Sequence, residues 1–510
     1  MKNDLSSAET EKDSKSIEPS DSATVKASAQ KSAEKSKGDD AEFNRLGSGK
    51  IWPLVIEFAI PAIIGMLVNA AYNLISAAFL GQALGTIGVS VTQVAQPIMT
   101  VFLAIAMMIG AGGNAVCALR LGEGKHGEAE HVLGNTVTLS VIVGVLVAIL
   151  AAIPPVLDGL LSVSSATAEI RPYAATYVRI ICFGFVIQCI GFGVNNFIRT
   201  AGNPNRALLT MVIGAVTCVI FNYLFVMVLG LGVAGSAAAT LVGQGASCVS
   251  VLWYFTMTKN VPLKLHVRYM PPNIRMIGQI LSLGLASFCV QIAAAVLNFA
   301  TNFLLVRYGA MSAVGEAGAL ASIGLVQRVA MFAVMPLIGT ATAVQPLLGF
   351  NYGAKLFTRV RKTLFCGVVL ATGLAIFMWT IVQLFPNQII SFFGLTDSSL
   401  LDFAAYALRV QMLAVPIVGA QIVGSNYFQA TGQPMKSIIL SLSRQVLILL
   451  PLMFILPEVL PGITGLTGLD CICIAMPCAD VCAFVLTMIF DVIELRRLNR
   501  VEHHKPAPQY

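Results

Sequence analysis

The sequence of 510 residues predicts an all-α polytopic membrane protein, with twelve transmembrane helices in two pseudo-symmetric six-helix lobes. Three observations predict it. The composition is 56% apolar and 11% charged, with a mean hydropathy of +0.80; ordinary soluble domains have roughly 45–50% and about 25%. From Ile51 onward the chain is a series of apolar segments of 20 or more residues, the length a helix needs to cross a bilayer core of about 30 Å. A turn sequence then recurs at a spacing of 230 residues. This composition excludes most soluble enzymes. A net charge of +7 spread over such a chain is explained by basic loops rather than by a nucleic-acid groove.

Taken in order, residues 1–48 are rich in Ser, Lys, Glu, Asp and Ala and hold few large apolar side chains. They cannot bury enough surface to offset the entropy of ordering, so a disordered tail is expected. The tail lacks the pattern of a cleaved signal peptide. Apolar segments follow near 51–80, 89–117, 134–155, 173–198, 207–229, 233–257, 276–305, 317–347, 361–384, 402–428, 437–457 and 471–494. They are too long and too evenly apolar for barrel strands, and a continuous helix satisfies its own backbone polar groups in lipid. The loops after even-numbered spans carry Arg120, Lys125, Arg206, Lys259, Lys264, Arg268, Arg275, Lys355, Arg359, Arg361, Lys362 and Lys436, whereas those after odd-numbered spans carry Arg171 and Arg307. Basic loops stay inside, so this asymmetry puts both termini in the cytoplasm of a multi-pass cell-membrane protein.

The basic link 258–275 divides the spans into six plus six, giving lobes at 49–257 and 276–495 and a tail at 496–510. Shifted by 230, the stretch Asn196 to Arg206 falls on Asn426 to Lys436 without a gap, aligning Asn196 with Asn426, Gly202 with Gly432 and Pro204 with Pro434. Shifted by 229, Gly110 and Gly124 fall on Gly339 and Gly353. An even number of spans per copy gives both copies one membrane orientation, related by an axis along the membrane normal. Two like bundles across a cleft is the architecture of an alternating-access transporter.

Several stretches then resemble the multidrug and toxic compound extrusion family. They are Ile60-Pro-Ala-Ile-Ile-Gly65 through Tyr72-Asn73 to Phe79-Leu-Gly81, Arg199-Thr-Ala-Gly-Asn-Pro204, Gly232-Val-Ala-Gly-Ser-Ala-Ala-Ala-Thr240, and Gln345-Pro-Leu-Leu-Gly-Phe-Asn351-Tyr-Gly-Ala-Lys355 with Arg359 beyond it. The last is the most specific, and the resemblance covers about 50–495. Arg444 with the apolar run to Pro451, and Pro477-Cys-Ala-Asp480, resemble the bacterial drug-efflux branch. The resemblance implies an inner-membrane antiporter that expels cationic or amphipathic compounds in exchange for Na⁺ or H⁺. It also implies an acidic residue late in span 1 and another in span 5. Here those positions hold Ser76 and Asn222, which do not titrate near neutral pH, though neutral oxygens can still ligate Na⁺.

Charges inside spans are costly, about 2.5–3.5 kcal/mol each on insertion scales, and mark functional candidates. Asp480 and Arg444, with Ser76 and Asn222, are the ion-coupling candidates, Asp480 leading. An Arg/Asp pair among the helices of the second half, which also hold Arg328 and Arg409, would lower the cost of burying both charges. Glu57 reads as interfacial. Asn69, Tyr72, Asn73 and Ser76 share one face of span 1. With Gln188, Asn196, Gln291, Asn298, Gln327, Arg328, Gln421 and Asn426 they are candidate linings of a substrate cleft, or else polar contacts between helices. No metal site, organic cofactor or P-loop is read from the chain, and it is not read as an enzyme. Na⁺ or H⁺ is the expected coupling ion. The expected partners are small-molecule drugs or toxins and the lipid bilayer, without nucleic acid, and the chain is expected to be a monomer. A lipid-precursor flippase and a non-transporting receptor or scaffold are the alternatives.

Overall fold

The computed structural model describes residues 45–163, 170–258, 261–312, 315–392 and 398–503. Among them, all regular structure is helical. Ten helices are long and apolar enough to cross a membrane: Ile51–Leu84 (span 1), Val94–Gly122 (2), His126–Ala152 (3), Pro204–Val228 (5), Gly232–Met257 (6), Ile274–Gly309 (7), Gly318–Gly353 (8), Phe357–Leu384 (9), Pro434–Ile463 (11) and Gly468–Glu502 (12). Two bent pairs complete the twelve. Arg171–Phe183 with Phe185–Thr200 forms span 4, bent by 55°, and Leu400–Gln411 with Val415–Ala430 forms span 10, bent by 47°.

The bends correct the expectation of twelve continuous helices. Span 4 breaks at Gly184, which packs against the Leu241 side chain with no room for a Cβ. Span 10 breaks ahead of Pro416, whose missing N–H cannot continue the ladder. Both breaks fall in the fourth span of a half. The recurring turn follows each: Gly202 (φ 92°) and Gly432 (φ 77°) take the left-handed conformation that closes span 4 and span 10. Pro204 and Pro434 open the next helix, where a missing N–H costs nothing. Elsewhere Asn273 caps span 7 by accepting from the Arg275 and Met276 amides, and Thr467 with Asp470 forms a reciprocal capping box at span 12.

Several boundaries differ from the sequence reading. Residues 45–48 form a helical turn rather than the end of a loose tail. Arg359 donates to the Leu46 and Gly49 carbonyls at 3.2 and 2.8 Å, and Asn351 orients that guanidinium at 3.1 Å. Span 12 continues to Glu502, which accepts from Arg361 at 2.7 Å and from Thr358. The link 258–275 is strapped to span 3: Asn135 accepts from the Asn273 amide at 2.7 Å, Thr138 donates to the Met270 carbonyl at 2.7 Å, and Glu130 accepts from the Lys264 amide at 3.0 Å. His131 belongs to span 3 and packs on Tyr269. The 1–44 tail lies outside the described residues.

Four apolar cores hold the bundle together. At the end of the spans carrying Arg120, Lys125 and Arg359, here the basic end, the two cores mix the lobes. One packs Ile280 and Leu283 of span 7 among residues of spans 2 to 6, and the other packs Leu54 to Ala62 of span 1 among residues of spans 8 to 12. At the opposite end each core draws on one lobe alone, Leu80 to Val233 in the first and Leu304 to Ala479 in the second. The lobes are joined at the basic end and separate at the other.

Candidate functional site

The joint is a seam of close backbone approach. A Cβ on Gly112 would strike the Ile280 carbonyl, and one on Gly284 the Met108 carbonyl; Gly122 and Gly353 repeat this reciprocal contact against Phe350 and Leu119. Small residues allow such approach between membrane helices, whose association depends on packing rather than on water exclusion. Arg120 also reaches Gln279 across the seam at 3.4 Å. Beside it, burial pushes the Glu123 carboxyl up, yet hydrogen bonds from Lys125 and Arg120 hold it below the ordinary glutamate range.

Farther from the basic end the seam gives way to a gap. On span 7, Gly284, Gln291 and Asn298 lie seven residues apart on one helix face. Gly284 touches span 2, Gln291 donates to the Met107 sulfur of span 2 at 2.9 Å, and Asn298 is exposed. On span 8, Gly339 packs on Ile63 of the opposite lobe; Met335, Met331 and Arg328 follow outward on the same face, with Met331 and Arg328 exposed. Of the predicted cleft residues Gln291, Asn298 and Arg328, Gln291 therefore touches the other lobe, and Asn298 and Arg328 are exposed farther out on the same two helices.

The other predicted residues sit deeper in the lobes. In the first, Asn222 is fully buried and donates to the Ser76 hydroxyl at 3.1 Å, with the Cys218 sulfur 3.4 Å from the same amide nitrogen. The two positions that lack acids are thus brought together, although they are 146 residues apart. An amide, a hydroxyl and a thiol form a neutral, sparse donor set for a hard cation. Asn69 and Tyr72 are half-buried on span 1, and the side chain of Asn73 lies outside the described residues. Asn196 accepts from Arg199 at 2.7 Å. Gln188 and Asn426 are half-buried and Gln421 is buried, each with a carbonyl oxygen that has no hydrogen-bond partner among the described residues. Gln327 is half-buried beside Arg328.

In the second lobe, the Arg444 Nε donates to the Asp480 carboxylate at 2.7 Å, with the side chains 30% and 8% exposed. Arg444 lies in a π-helical stretch, Ser443–Leu449, which widens span 11; such insertions often occur at functional positions. The expected interfacial Glu57 is in an ion pair with Arg45. Arg409 is exposed, as is Arg179 at the matching position 230 residues earlier.

The two halves also separate in the comparison with known families. The MatE family model matches residues 61–224 and again 286–455. The chain belongs to the MatE family. MatE proteins are transporters, not enzymes. Among relatives, the multidrug export protein MepA of Staphylococcus haemolyticus is 25% identical over 89% of this chain and 95% of its own. A solved structure of the MATE multidrug transporter DinF-BH is 34% identical over 87% of this chain and 96% of its own, with a TM-score of 0.78. An outward-facing MATE family transporter superposes with a TM-score of 0.82 at 23% identity, covering 89% and 98%, and shares the fold.

Within this MatE chain, sequence reasoning missed three buried charges. Arg199 is fully buried in the turn motif, with Asn196 and the Met211 sulfur as its partners and no carboxylate among the described residues. Glu494, near the basic end of span 12, is buried and bridges Lys436 at 2.7 Å and Arg497 at 3.4 Å. Asp491, one turn earlier, is buried against Gly424, with one carboxyl oxygen lacking any partner among the described residues. Asp491 and Glu494 lie inside the predicted twelfth segment, so the rule that flags intramembrane charges could have found them.

Proposed function

We propose that this protein is a secondary exporter of amphipathic organic compounds across the cell membrane, driven by entry of Na⁺ or H⁺. In this reading it works as a single chain with the basic end and both termini in the cytoplasm. The observation that carries it is the pattern of the cores: mixed at the basic end, separate at the other. That is one state of an alternating-access cycle, open outward. Rocking the lobes about the gap would part the glycine seam and open the opposite face. Membership of MatE and the likeness to multidrug export proteins support drugs as cargo. The basic loops support the orientation.

A driving ion and a substrate must bias the two states differently. With Ser76 and Asn222 neutral, coupling falls to the second lobe, and Asp480 is its site. A cation arriving at Asp480 competes with Arg444, and the π-helical turn gives Arg444 a backbone that can adjust when released. Asp491, with no ion pair among the described residues, is the other carboxyl to compare.

The test uses the full chain in proteoliposomes under an imposed sodium gradient or an imposed pH gradient, with a cationic rhodamine and an anionic fluorescein offered in turn as the transported dye. One gradient should drive uphill dye movement. Asp480→Asn should abolish that drive while dye counterflow persists. Dye movement under neither gradient would overturn the exporter reading. An unchanged ion dependence in Asp480→Asn would overturn the choice of site, and the same measurement on Asp491→Asn would then assign it.

A further inference from the structure

We infer that the open gap takes amphipathic organic anions, with Arg328 as the group that holds the acidic head. The inference rests on the exporter reading above and names its substrate class. Arg328 stands on span 8 three turns outward of Gly339, on the helix face by which Gly339 touches Ile63 of the first lobe. An offset of eleven residues returns an α-helix to nearly the same direction; Pro336 lies between the two positions, and on this register the exposed guanidinium is assigned to the wall of the gap. No hydrogen bond or ion pair engages its side chain among the described residues.

No acid among the described residues pairs with Arg328, and most acids of the spans are already engaged. Among described acids inside the spans, Glu57, Glu128, Glu130, Glu494 and Glu502 are engaged at the basic end, Asp491 is buried against Gly424, Asp480 bridges Arg444, Glu458 bridges Arg307, Asp470 accepts from Thr467, and Asp402 is exposed near the outer end of span 10. Glu316 lies about 18 Å farther out along the helix and about a third of a turn away. The first lobe contributes the neutral pair Ser76 and Asn222. A cation bound beside Arg328 would therefore meet a like charge with no paired acid, whereas a carboxylate, sulfonate or phosphate would meet a planar donor able to bind it through two hydrogen bonds.

The surface beneath Arg328 suits the remainder of an amphiphile. Met331 and Met335 follow on the same face toward the closed end, Met331 being 52% exposed. Gln291 and Asn298 line the facing stripe of span 7, with Met107 under Gln291 at the floor. Flexible thioethers accept varied apolar shapes, and the amides supply neutral hydrogen bonds. The arrangement is an acidic-head site at the mouth with an adaptable apolar wall below it.

The experiment compares two dyes on the same xanthene ring system, anionic carboxyfluorescein and a cationic rhodamine ester, in proteoliposomes containing the full chain. The wild type should move carboxyfluorescein. Arg328→Gln should lower the carboxyfluorescein-to-rhodamine rate ratio at least tenfold, and Arg328→Lys should retain most of it. The inference is overturned if the wild type moves only rhodamine, or if Arg328→Gln leaves the ratio unchanged. Movement of neither dye would overturn the exporter reading itself, and this inference with it.

Discussion

In the first lobe, the fifth span places Asn222 against Ser76 and Cys218, a contact built entirely from neutral groups. In the second lobe, the fifth span places Arg444 against Asp480, an ion pair. The turn that follows each fourth span differs in a similar way. Arg199 is buried with no carboxylate among the described residues in the first, while Gln429 at the matching position donates to the Leu283 carbonyl and to Ser287 in the second. A duplicated backbone has therefore been given different chemistry in its two copies. Pseudo-symmetry of the helices does not require a symmetric mechanism. One lobe can carry the titratable group while the other supplies a matching wall and its share of the seam.

The comparison can be broken first at the seam, where the lobes stop being independent. Gly284→Val places a branched side chain against the Met108 backbone, and the rate of dye export should fall at least tenfold because the basic end can no longer close. A variant with normal export would show that the seam does not seal the protein. Next in size is the charged pair. Arg444→Ala strands a carboxylate that is 8% exposed and should cost up to about 3 kcal/mol, read as a loss of thermal stability in detergent. Replacing both partners with apolar residues should recover most of it, and no recovery would mean that Arg444 acts through packing.

The neutral counterpart should be cheaper to break. Asn222→Leu removes one buried hydrogen bond and should cost about 1 kcal/mol by the same measurement. Asn222→Asp sharpens the contrast, because it returns a carboxyl to the first lobe and should add a titration step to the pH profile of export that the wild type lacks. The smallest effect belongs to Glu123. Its folded carboxyl is held below the ordinary glutamate range, so its contribution is present above that range and is lost as pH falls through the folded value. Glu123→Gln should cost about 0.5 kcal/mol at neutral pH and nothing once the wild-type carboxyl is protonated, as read by thermal unfolding at both pH values.

Much of this plan was legible in the chain. The apolar segments located the spans, the Gly-Pro turns located the repeat, and the rarity of intramembrane charge singled out Asp480 and Arg444 before their contact was known. The bend in span 10 had a signal in Pro416, whereas the bend in span 4 depends on Gly184 packing against a neighbour that is distant in sequence. Arg199 reads as part of a turn, because nothing local shows that a cation beside Thr200 and Gly202 will be buried.

Composition and periodicity by themselves determined that this is a twelve-span helical membrane protein built from two like halves, because the bilayer imposes a length and a polarity that every crossing helix must meet on its own. Tertiary structure alone decided that Ser76 meets Asn222, that Asp480 has a partner, and that Gln291 meets Met107 of the opposite lobe. Each of those depends on which side of one helix is turned toward another. A single helix carries no record of its neighbour, so only the packed bundle shows which polar groups are paired inside a lobe and which stand in the gap.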